Sequence, residues 1–134
     1  MMHRVLVLGA GKIGSLIACL LDQRKTYTIH LGDITLDAPT RLIKDLSLER
    51  VTPCLLDVRH PDTVSAYLAT HQFDAILSGL PYFCNPTVAG LARTHNLHYF
   101  DLTEDVEVTN QIKILSAGAT QAFLPQCGLA PGFI

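Results

Sequence analysis

The sequence predicts an α/β protein, a doubly wound parallel sheet of about six strands flanked by five helices. Three observations lead there. Short apolar runs alternate with helix-period runs along the whole chain. Glycines fall at Gly9, Gly11 and Gly14 straight after the first apolar run. An acid, Asp33, ends the second apolar run nineteen residues beyond Gly14.

The first strand is Val5 to Leu8, and the helix after it carries Ile13, Leu16, Ile17, Leu20 and Leu21 on one stripe. Thr28 to Asp33 forms the second strand, followed by a short helix. The pattern then repeats: strand Val51 to Leu56, helix Pro61 to His71, strand Asp74 to Ser78, helix Pro86 to Thr94. Leu97 to Asp101 is the fifth strand, Glu104 to Ala119 the fifth helix, and Ala122 to Pro125 a last short strand. Pro61 marks a first helical turn, Asn85 before Pro86 reads as a cap with a proline behind it, and Thr103 precedes Glu104 and Asp105 as a third start. Strands separated by helices run parallel through right-handed crossovers, which gives the Rossmann-type order 3-2-1-4-5-6.

Composition sets the class. A chain of 134 residues with 49% hydrophobic content is one domain with a proper core. We divide it into residues 1–126, the nucleotide-binding domain, and 127–134, the start of a further segment. A formal charge of −2 without a Lys/Arg cluster excludes nucleic acid and anionic membrane as main partners. No apolar run reaches the eighteen or so residues of a membrane span, and the first is too short for a signal core, so a cytoplasmic protein is expected. Cys19, Cys54, Cys84 and Cys127 are far apart with no CxxC pair, consistent with reduced thiols and no metal site. Of the six histidines only His95 and His98 lie close together, and Asn96 between them reads as a helix end.

The glycine run gives the chain its function class. Gly9 permits the turn, Gly11 lets backbone approach a pyrophosphate, and Gly14 lets the helix pack on its strand. Lys12 and Ile13 present backbone N–H groups at the positive end of the helix dipole. Asp33 is placed to accept from ribose hydroxyls and to repel a 2′-phosphate, which favours NAD over NADP, while Arg41 is the nearby cation. Asp33 competes with a plain capping role, as do Thr35 and Asp37. Ligands of such sheets sit at the carboxyl ends of the strands. The third end brings Asp57 and Val58 beside the adenine, with Asp57 either accepting from its amino group or capping the helix at Pro61. The fourth brings Gly79, Leu80 and Pro81 toward the nicotinamide-side ribose. A flavin nucleotide is the other ligand the fold admits. The edge strand Ala122 to Pro125 offers a route to a homodimer.

Four stretches carry a resemblance to the saccharopine dehydrogenase-like family, which includes saccharopine reductase and lysine 6-dehydrogenase. They are Gly9-Ala10-Gly11-Lys12-Ile13-Gly14, Leu80-Pro81-Tyr82-Phe83, His98-Tyr99-Phe100-Asp101-Leu102-Thr103-Glu104-Asp105, and Pro125-Gln126-Cys127-Gly128-Leu129-Ala130-Pro131-Gly132. The resemblance covers the family's N-terminal half. It implies an oxidoreductase acting on an amine-bearing carbon of an amino acid, with the substrate held between this domain and a second, α+β domain that these residues do not include. Fungal saccharopine reductases carry a basic residue after the second strand where Asp33 stands here, so NAD-linked, lysine 6-dehydrogenase-like chemistry is the nearer match. Hydride passes to the nicotinamide, and protein groups bind, orient and relay a proton. Two candidates for a catalytic part are Asp101, which otherwise caps the next helix, and Cys84, which the resemblance puts beside the nicotinamide and which otherwise fills core space. Tyr82 and Cys127 are weaker candidates, the first a packing aromatic and the second a thiol in the interdomain segment. The chain alone is expected to bind the dinucleotide without turning over substrate. The alternative is a non-catalytic NAD-binding module or sensor.

Overall fold

Residues 2–125 are described by a computed structural model of the chain. The chain alternates between strand and helix without a break: β1 His3–Leu8, α1 Lys12–Asp22, β2 Tyr27–Asp33, α2 Asp37–Asp45, β3 Val51–Leu55, α3 Pro61–His71, β4 Ala75–Ser78, α4 Asn85–His95, β5 His98–Asp101, α5 Val106–Leu115 and β6 Phe123–Leu124. A single 3₁₀ turn, Tyr82–Cys84, leads into α4. All neighbouring strands pair in parallel, in the order β3-β2-β1-β4-β5-β6. The order reverses between β1 and β4, where Leu8 stands opposite Ser78. That reversal opens a crevice at the carboxyl ends of the two strands.

Side chains alternate across each strand, so the sheet has two apolar faces. Leu6, Leu8, Ile76 and Tyr99 point to one face and pack under Val64 and Leu68 of α3, Val88 and Ala92 of α4 and Ile112 of α5. Val5, Val7, Ile29, Leu31 and Ala75 point to the other, against Ala18 of α1 and Leu42 and Ile43 of α2. Leu6, Val7, Ile29, Leu31 and Ile76 are fully buried, and each such side chain contributes about 1.5–3 kcal/mol. This double burial is why the strands read as continuous apolar runs instead of alternating ones.

The expected helix from Glu104 to Ala119 is shorter at both ends. Asp105, not Thr103, caps it: the Asp105 carboxylate accepts from the Val108 N–H at 2.8 Å, while the Thr103 hydroxyl accepts from the Asp105 N–H. At the far end Gly118 adopts φ +77°, where the helix cannot continue. The last strand keeps only Phe123 and Leu124 of the expected four residues. Asn85 is not the cap of α4 but its first residue, preceded by Cys84. Its buried side chain turns back to accept from the Ser78 hydroxyl at 2.6 Å, a tertiary bond that outcompetes local capping. Among the described residues no helix is long and apolar enough to cross a membrane, and no group of three or more His, Cys, Asp or Glu is placed to hold a metal. Cys127 and the interdomain segment lie outside the described residues.

Candidate functional site

A cleft of about 500 Å³ occupies the crevice at the strand ends. Its floor is the turn from β1 to α1. Gly9 sits there at φ +100°, a conformation L side chains rarely adopt, and its N–H donates to the Gly32 carbonyl at 2.8 Å. Behind it, a Cβ on Gly14 would fall 1.8 Å from the Gly9 carbonyl oxygen, so the first turn of α1 rests directly on the loop. Gly11 differs from both. A Cβ there would meet nothing within 4 Å, so the protein itself does not require glycine at this position. The room belongs to whatever occupies the cleft.

That occupant is anionic by the logic of the loop. Gly11 stands at the N-cap of α1 and no side chain caps the helix. The N–H groups of Lys12, Ile13 and Gly14 belong to the first turn, which has no intrahelical acceptors, and the positive end of the dipole adds to them. Lys12 and Ile13 are exposed and half-exposed, Gly14 is buried, and none of the three side chains lines the cleft. A pyrophosphate fits this set of backbone donors.

Asp33 is tied into the same loop. Its Oδ2 accepts from the Ala10 N–H at 2.8 Å and its Oδ1 from the Ile34 N–H at 2.6 Å. The carboxylate is half-buried, at the end of β2 and inside the cleft lining. It does not cap α2, which begins at Asp37 and has no side-chain cap. Across the crevice Gly79, Leu80 and Pro81 form the opposite wall, held by a bond from the Gly79 N–H to the Leu8 carbonyl at 2.7 Å.

Asp57 and Val58 also line the cleft. The capping alternative for Asp57 falls, because α3 has His60 at its N-cap and no side-chain cap. Asp57 instead accepts from Arg59, whose Nη2 lies 2.7 Å from Oδ2 and whose Nε lies 3.0 Å from Oδ1. The guanidinium holds the Asp57 carboxyl down at about 2.

The two catalytic candidates part company. Cys84 lines the cleft, where burial pushes its thiol above the ordinary range, so it is no thiolate at neutral pH. Asp101 is fully buried and outside the lining of the cleft. The expectation that it faces the cleft is corrected: its Oδ2 accepts from the Tyr99 hydroxyl at 2.6 Å and its Oδ1 from the Thr103 N–H at 3.0 Å, which turns the carboxylate into the end of β5. Tyr82 and Phe83 are exposed and meet edge to face at the lip.

Sequence reasoning missed Ile34, Leu56, Arg59 and Phe83 among the lining residues. Arg59 carried a usable signal, since it follows Asp57 at the spacing of a local ion pair. Ile34 carried none, as an apolar residue after a strand is equally well read as core.

Fold and cleft together define a dinucleotide-binding domain of the Rossmann type. Residues 5–122 match the family described as the saccharopine dehydrogenase NADP binding domain, and the chain belongs to that family. Among solved structures it is similar to apo histidine-tagged saccharopine dehydrogenase (L-Glu forming) from Saccharomyces cerevisiae, with a TM-score of 0.83 and 21% identity over 97% of this chain and 28% of that one. A myo-inositol dehydrogenase from Corynebacterium glutamicum follows at TM-score 0.69 and 19% identity, covering 93% of this chain and 36% of that one. GenD2 from gentamicin A biosynthesis, in complex with NAD, matches at TM-score 0.69 and 15% identity over 92% of this chain and 34% of that one. At such identities the likeness is one of fold. This chain spans between 28% and 36% of the length of these three proteins. No curated protein matches the sequence.

Proposed function

We propose that this chain is the nicotinamide-dinucleotide half of an oxidoreductase acting on the CH–NH group of an amino acid of the lysine or saccharopine type, with NAD preferred to NADP. The observation that carries the cofactor reading is the carboxylate of Asp33, fixed at the end of β2 by the Ala10 and Ile34 N–H groups. A carboxylate there accepts further bonds from ribose hydroxyls and repels a 2′-phosphate. The open space at Gly11 and the free donors of the first turn of α1 support a pyrophosphate beside it. GenD2, of the same fold, is in complex with NAD. The nicotinamide, once bound, supplies the hydride chemistry. The residues of this chain bind and orient it, with Leu80 and Pro81 forming the wall on the side of the nicotinamide ribose. Amino-acid substrate is then held against a further domain, and this chain by itself binds NAD and oxidises nothing.

The alternative is a non-catalytic NAD-binding module or sensor. One observation favours it: among the described residues lining the cleft there is no His, Lys or Tyr, and Cys84 is held as a thiol. Supplying a family substrate domain in cis separates the two, since an oxidoreductase half then gains lysine- or saccharopine-dependent reduction of NAD and a sensor does not.

Calorimetric titration of the chain with NAD and NADP tests the cofactor reading. NAD is expected to bind more tightly, and Asp33→Ala to weaken NAD about tenfold while narrowing its lead over NADP. Failure of both nucleotides to bind would overturn it.

A further inference from the structure

The outer wall of the cleft carries a cation to which the cofactor reading gives no task. Among the described lining residues this is Arg59, whose side chain is 75% exposed. It is nonetheless held in place. Nε lies 3.0 and 3.1 Å from the two Asp57 oxygens, and Nη2 lies 2.7 Å from Oδ2. The Arg59 N–H also donates to Oδ1 at 2.9 Å, which closes a tight local turn. Of the five guanidinium N–H groups, this edge uses two, and the rest point away from Asp57.

The pair stands next to the ribose acid. The Leu56 N–H donates to the Asp33 carbonyl at 2.9 Å, so the segment leading to Asp57 leaves the sheet beside Asp33 and Ile34. Ile34 is 57% exposed and also lines the cleft. Two neighbouring strands therefore end in an exposed aliphatic side chain and an exposed planar cation, facing one opening. The charge pattern is poor for an anion. Asp57 neutralises the guanidinium, and Asp33 adds a negative charge nearby. A neutralised plane opposite an aliphatic side chain suits a flat, uncharged, π-rich ring.

We propose that Arg59, oriented by Asp57, is the plate on which the purine ring of the bound dinucleotide stacks, with Ile34 closing the other side. Asp57 is then a positioning residue and not an acceptor for the purine amino group. Its carboxylate stays ionised throughout the neutral range, as the plate requires. The inference rests on the cofactor reading above and goes beyond it by assigning the grip on the adenylate half.

The test is a calorimetric double-mutant cycle on the 134-residue chain, with AMP, NAD and NADP as probes and thermal melting as the check of fold. Arg59→Ala is expected to weaken AMP and NAD by a similar factor, about fivefold to tenfold, and Arg59→Lys not to restore them, because a lysine keeps the charge without the plane. Asp57→Asn is expected to weaken AMP about threefold when Arg59 is present and to do nothing further in Arg59→Ala. Three results would overturn the proposal: AMP binding indifferent to Arg59→Ala, a loss confined to NADP, which would make Arg59 a phosphate ligand, or an equal effect of Asp57→Asn in both backgrounds, which would make Asp57 a direct contact. Absence of AMP and NAD binding by the unsubstituted chain would overturn the cofactor reading together with this one, and is distinct from all three.

Discussion

The carboxylate of Asp33 accepts the N–H of Ala10 at 2.8 Å across 23 residues of sequence. One side chain thereby joins the end of β2 to the glycine turn after β1. The group that selects among ribose substituents also fixes the loop that faces the phosphates. Shape and charge of the site are set together, and a single substitution disturbs both.

The stacking of α1 on the glycine turn gives the first prediction. A Cβ on Gly14 meets the Gly9 carbonyl oxygen at 1.8 Å, and both partners are backbone, so neither can swing aside. Gly14→Ala is expected to destabilise the domain by about 3 kcal/mol or more, read as a drop in the urea midpoint. A loss below about 1 kcal/mol would show that α1 can move off the loop.

A second prediction concerns acid. His30 is buried in β2, its Nδ1 bonded to the Tyr67 hydroxyl of α3, with His71, Phe73 and Arg4 packed around it. Burial first, then the charges of His71 and Arg4, lowers it from 6.5 to about 4. The folded state thus takes up this proton at lower pH than the unfolded state. The contribution of His30 to stability is intact above pH 6.5, falls between 6.5 and 4, and levels off below. The total is on the order of 2 kcal/mol. Urea unfolding from pH 7 to pH 4 should show this slope, and His30→Gln should flatten it. Equal slopes in both proteins would assign the acid sensitivity elsewhere.

The fold was legible because its signals are periodic and local. Alternating runs, Pro61 at its helix start and the handedness of crossovers led to the sheet order without any knowledge of contacts. The glycine turn was legible for the same reason, being one continuous stretch. What escaped depends on long-range bonds. Asn85 and Thr103 look like caps, yet a bond to Ser78 and a rival cap at Asp105 reassign them. Asp101 ends a strand at the right edge of the sheet, but strand position does not say whether the carboxylate turns out to the cleft or in toward Tyr99. Arg59 and Ile34 escaped because side chains past a strand end follow no period.

The central claim is that the glycine loop is a cradle for the cofactor's phosphates, and Gly11→Ala tests it most directly. The added methyl meets no protein atom within 4 Å, so the melting temperature should stay within a degree or two of the unsubstituted chain. It would stand in the space assigned to the pyrophosphate, so the affinity for NAD measured by calorimetry should fall at least tenfold. Unchanged melting with unchanged NAD affinity would contradict the account, because the phosphates would then lie elsewhere.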